Sequence, residues 1–86
     1  MAAPDRIATF ESMALPHARA AFNMARWMTH NDHEAEDLLQ EAYLRAFRYF
    51  DSWQGQNPRT WFLTIVRNVC FDWLGRRGPA AAAAMG

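Results

Sequence analysis

From residue 37 the chain reads Asp37-Leu38-Leu39-Gln40-Glu41-Ala42-Tyr43-Leu44-Arg45-Ala46-Phe47-Arg48, a pattern that demands a helix with two different faces. Leu38, Leu39, Ala42, Tyr43, Ala46, Phe47 and Phe50 recur at helical spacing and make a wide apolar stripe that must be buried. The opposite face carries Asp37, Gln40, Glu41, Arg45 and Arg48. One reading of that face is a solvated surface laced by Glu41 and Arg45, whose i,i+4 spacing contributes roughly 0.2–0.5 kcal/mol. The other is a docking surface with a charge pattern. Charge pattern alone favours the solvated surface.

Around this helix three more are readable. Pro4-Asp5 starts a short helix to about Met13, with Ile7, Phe10 and Met13 or Ala14 as its apolar side, and Leu15-Pro16 interrupts it. A second helix runs from about His17 to Thr29 and buries Ala18, Ala21, Phe22, Ala25 and Met28. Asn31-Asp32 breaks it, and Asn31 with Glu34 three residues on fits a capping box for the third helix, which ends near Phe50. Residues 51–57 have turn chemistry, and Asn57-Pro58 opens a fourth helix that reaches about Arg76, where Gly75, Gly78 and Pro79 stop regular structure. Sustained period-two alternation is absent, so no strand is expected.

A chain of 86 residues is one small domain and needs a dense core, which 51% apolar and 14% aromatic residues supply. No apolar stretch approaches the roughly 20 residues that span a bilayer, and the N-terminal residues lack a signal-sequence pattern, so a cytoplasmic location without membrane contact is expected. Cys70 is the single cysteine, read as a buried small hydrophobe in preference to a reactive thiol. The net charge of zero hides a polarity: three arginines face seven acids in residues 1–44, whereas six arginines face only Asp51 and Asp72 in residues 45–86. An acidic half suits a protein partner and a basic half suits phosphates. All nine basic residues are arginine, which can form forked contacts or stack on a base.

On the fourth helix, a projection at about 100° per residue gathers Trp61, Phe62, Ile65, Val66, Val69 and Trp73 on a core face. Thr64, Arg67, Asn68, Phe71 and Gly75 fall on the far side, where an aromatic ring beside an amide and a guanidinium matches a stacking platform for unpaired bases. The alternative is that Phe71 packs under a neighbouring element or the tail. In the preceding loop, Trp53 is either a wall for an extruded base, with Gln54 and Asn57 supplying polar groups, or a lid over the helices.

The run Glu36-Asp37-Leu38-Leu39-Gln40-Glu41-Ala42-Tyr43-Leu44-Arg45-Ala46-Phe47, the loop Phe50-Asp51-Ser52-Trp53-Gln54-Gly55, and Trp61-Phe62-Leu63-Thr64-Ile65-Val66-Arg67-Asn68 with Asp72 and Arg76-Arg77 together resemble region 2 of a bacterial sigma factor of the extracytoplasmic-function (ECF) type. The resemblance implies an all-α, compact bundle of four helices over residues 1–78, with residues 79–86 as a flexible tail or the start of an interdomain linker. It implies that Asp37, Gln40, Glu41 and Arg45 bind core RNA polymerase at the clamp of its largest subunit. It further implies that Trp53, Gln54, Asn57, Arg59, Thr64, Arg67, Asn68, Phe71, Arg76 and Arg77 hold promoter DNA, namely the non-template strand of the minus-ten element, during recognition and melting. An anti-sigma factor is a further partner of such domains. Sigma factors of this type also carry a helix-turn-helix reader of the minus-thirty-five element, and the sequence leaves open whether the chain is part of a longer protein or a reduced one.

The rival from another class keeps the fold but reads no DNA: an interaction module held by an anti-sigma factor, or a decoy for polymerase. The basic charge of the fourth helix and the Asn68 and Phe71 surface argue against it. A metal enzyme is more distant still. His30, His33, Glu34 and Asp37 invite a zinc site, but a helix boundary separates the histidines and no third ligand cluster has zinc spacing. No phosphate loop or nucleophile motif appears, so no catalysis, cofactor or metal is expected.

Overall fold

The computed structural model describes the backbone of residues 2–77 and the side chains of residues 6–76; the expected tail and the Arg77 side chain lie outside the described residues. Helix α1 spans Ala2–Ala14, α2 Ala18–Thr29, α3 Asp32–Arg48 and α4 Pro58–Arg77, with 3-10 turns at Leu15–His17 and Phe50–Ser52. Among the described residues there is no strand.

The helix ends follow local chemistry. The Pro16 turn separates α1 from α2. His30 adopts the left-handed conformation (φ 56°) that closes α2, its N–H donating to the Arg26 carbonyl at 2.8 Å. One residue later the Glu34 N–H donates to Asn31 Oδ1 at 2.9 Å and opens α3. At the head of α4 the Thr60 N–H donates to Asn57 Oδ1 at 3.1 Å.

Helices α2, α3 and α4 pack on one another through small residues: Ala21, Ala25, Ala35, Ala42 and Ala46 are fully buried, facing Phe62, Val66, Val69 and Cys70. Alanine at each crossing lets the helix axes approach closely, and Phe62 fills the space that remains. Helix α1 joins at the edge through Phe10, Met13 and Ala14, with the Phe10 ring edge-on to Tyr43, Phe47 and Phe50 at centroid distances of 6.5, 5.2 and 5.4 Å. Ile7 departs from expectation and stays 47% exposed. The adjacent Arg6 covers the Phe47 ring instead, its guanidinium carbon 4.2 Å from the ring centroid. The outer residues of the expected core faces, Phe22, Leu39, Tyr43, Phe47, Trp61, Ile65 and Trp73, are half-buried around the central cluster.

Candidate nucleic-acid interface

The outer face of α4 is exposed at Arg59, Thr64, Arg67, Asn68, Phe71, Gly75 and Arg76. A rise of about 1.5 Å per residue spreads Thr64 to Gly75 over about 16 Å. Phe71 is 53% exposed, with the Arg67 guanidinium carbon 5.8 Å from its ring centroid. The buried side of the same helix is filled by Phe62, Val66, Val69 and Cys70, so Phe71 is an aromatic group on a polar surface rather than part of the core. Thr64 is already engaged, its Oγ1 donating to the Thr60 carbonyl at 2.7 Å, which leaves its hydroxyl as an acceptor.

The loop before α4 is built around Trp53. Its ring stacks on Phe50 (5.9 Å, 14°) and tilts against Trp61 (6.3 Å), while its Nε1–H donates to the Gln56 carbonyl at 2.9 Å. Trp53 is therefore half-buried at the rim of the core and fixed in orientation, with features of both the lid and the wall. The Gln54 N–H donates to Gln56 Oε1 at 2.7 Å, and Gly55 turns the chain at φ 85°. Gln54 and Asn57 are exposed. Asn57 Oδ1 is committed to its cap, so only its amide N–H groups are free to meet an outside acceptor. Sequence reasoning passed over Gln56, because the bonds that make it the loop's fastener depend on a turn geometry that composition does not specify.

On α3, Asp37 and Gln40 are exposed, and Glu41 is half-buried. Arg45 bridges two acids, its Nη2 3.3 Å from Glu41 and its Nη1 3.1 Å from Asp72 on α4. The guanidinium is thus shared between the two helices. Leu44, also overlooked by the stripe analysis, is 70% exposed on this face and borders an open groove of about 390 Å³ with Ile7, Leu15, Tyr43 and Phe47. An isolated leucine among Gln40, Glu41 and Arg45 was the available signal. Tyr43 Oη is buried without a hydrogen-bond partner among the described residues, and burial pushes its pKa up. Burial, assisted by Glu41, pushes the Cys70 thiol to about 11. Among the described residues no three His, Cys, Asp or Glu side chains gather as a metal site. No described helix is long and apolar enough to cross a membrane.

Residues 13–79 match the sigma-70 region 2 family, and the chain belongs to it. Its relatives point to the ECF type. It is 31% identical over 70 residues to the ECF RNA polymerase sigma factor SigE of Mycolicibacterium smegmatis, covering 81% of this chain and 27% of that protein. It is 29% identical over 70 residues to SigX of Bacillus subtilis, covering 80% of this chain and 36% of that protein. To SigG of Mycobacterium tuberculosis it is 36% identical over 77 residues, 87% of this chain and 21% of that protein. The chain spans between 21% and 36% of the length of these curated relatives. No solved structure gave a significant match.

Proposed function

We propose that this domain docks on core RNA polymerase through the outer face of α3 and captures the non-template strand of the promoter minus-ten element along α4. Recognition and opening of the promoter are then one event, because a base held on the protein is a base removed from the duplex stack. The observation that carries this reading is Phe71, a ring left 53% exposed with Arg67 and Asn68 beside it. Burial of a phenylalanine side chain stabilises by about 1.5–3 kcal/mol, a gain that folding leaves largely unused here and that stacking on a base would recover.

The docking face fits a basic and partly apolar partner. Asp37 supplies charge, Gln40 both donors and acceptors, and Leu44 an apolar anchor beside the groove. The clamp of the largest polymerase subunit is the partner expected for a sigma domain, and the cytoplasm is where polymerase and promoter meet. The same groove favours a second reading, in which an anti-sigma factor occupies α3 and the fold reads no DNA.

Titration of the chain with single-stranded minus-ten oligonucleotides separates the two. Sequence-dependent binding is expected, and Phe71→Ala should weaken it by about 1–3 kcal/mol while the domain stays folded. Absence of binding to every oligonucleotide, alone and with core polymerase, would leave the interaction-module reading.

A further inference from the structure

Arg6 is a cation in the acidic half of the chain, and it lies before residues 13–79, where the family match begins. Its side chain reaches across to the far end of α3. Nε donates to Asp51 Oδ1 at 3.0 Å, and Nη2 donates to the Phe47 carbonyl at 2.9 Å. The guanidinium carbon lies 4.2 Å from the Phe47 centroid and 5.9 Å from that of Phe50. One planar group therefore satisfies a carbonyl in the last turn of α3, pairs with the turn that follows, and covers two rings.

These contacts converge on the turn that carries Trp53. Phe50 is the ring on which Trp53 stacks, and the Trp53 N–H donates to the Phe50 carbonyl at 3.0 Å. Asp51 sits between them in the chain, with its side chain 83% exposed and Arg6 as its partner. Phe10, one turn after Arg6 on α1, packs edge-on to the same two rings, Phe47 and Phe50, that the guanidinium covers.

We propose that Arg6 is a positioning residue for base selection: it fixes the Phe50–Ser52 turn and, through Phe50, the plane of Trp53 in the loop that carries Gln54 and Asn57. The inference rests on the reading of this loop as the base-selecting element. Arg6 touches no base; it determines how sharply the loop distinguishes one base from another. Loss of the clamp lets the turn pivot, so that discrimination falls while phosphate attraction along α4 persists.

The test compares the 86-residue chain with its Arg6→Ala, Arg6→Lys, Asp51→Asn and Trp53→Ala variants on single-stranded minus-ten oligonucleotides differing at one base. Arg6→Ala and Asp51→Asn should cut the affinity ratio between preferred and substituted strands by about five-fold, the low end for one base contact. Affinity for the substituted strands should change less than about two-fold, and Arg6→Lys, which keeps the charge without the fork, should recover part of the ratio. Amide exchange should quicken across residues 50–57 and stay unchanged in α2, a local signature that general destabilisation does not produce. An unchanged ratio in Arg6→Ala and Asp51→Asn, with Trp53→Ala flattening the preference, overturns the role of Arg6 alone. An unchanged ratio in Trp53→Ala overturns the loop reading and this inference with it. Should Arg6→Ala fail to fold, Asp51→Asn decides, because Asp51 is exposed and asparagine keeps its shape.

Discussion

Arg67 and Asn68 are neighbours in sequence and exposed on the same helix, yet they differ in what they ask of a nucleic acid. A guanidinium meets phosphate irrespective of sequence, so Arg67→Ala should lower the slope of log affinity against log salt by about 0.7, the value for one phosphate on a single strand. An amide both donates to and accepts from a base edge, so Asn68→Ala should mainly reduce discrimination and leave the slope in place. Salt titrations on two oligonucleotides measure both effects, and an identical pattern for the two variants would refute the division of labour. Cys70 answers to pH instead. Burial raises its pKa from 9.0 to about 11, so the folded state holds the thiol proton more tightly than the unfolded chain does. Its contribution is fully present below pH 9 and is lost as pH climbs through about 11. Tyr43 shifts in the same direction, so the measurement is the difference in alkaline melting between the chain and Cys70→Ala. The variant should lose less stability between neutral and alkaline pH.

Elements are where the sequence is most legible. Capping is local: Asn31 accepts from Glu34 at the spacing the sequence marks, and Asn57, placed before Pro58 at the head of α4, accepts from Thr60. The far side of α4 was legible for the same reason, since a single angular period sorts Arg67, Asn68 and Phe71 from Phe62, Val66 and Val69. The contacts between elements were not legible. Arg6 and Asp51 are 45 residues apart, Arg45 and Asp72 are 27 apart, and nothing nearby in the chain marks either pair. Ile7 misled for a related reason: helical spacing ranks residues around an axis but does not say where along that axis the partner helix is apolar. The role of Trp53 stayed divided because it depends on Phe50 and Trp61 arriving from two different elements. For α3, Asp37→Lys probes docking most cleanly, because Asp37 is exposed and outside the ion pairs that bind Glu41, Arg45 and Asp72. Stability should move by less than about 0.5 kcal/mol while retention on core polymerase falls in a pull-down; undiminished retention would exclude this face.

Across the whole molecule, five buried alanines on α2 and α3 set the separation of α2, α3 and α4, and with it the distance between the outer faces of α3 and α4. Ala42→Leu should overpack that junction and cost about 1–3 kcal/mol, read as a lower melting temperature, whereas the same exchange at a solvent position would be nearly silent. The burial of Cys70 on the inner side of α4 has a consequence for kinetics. Its thiol is the only one in the chain, so a cysteine-directed reagent acts as a clock for the opening of the bundle. Any ligand that seats on the outer side and binds only the closed form slows that clock by a factor of 1 + [L]/Kd, about ten-fold when free ligand exceeds Kd ten-fold. Capture of an unlabelled strand on one side of the helix thereby becomes audible from the other, as a lengthened labelling time at a residue the strand never touches.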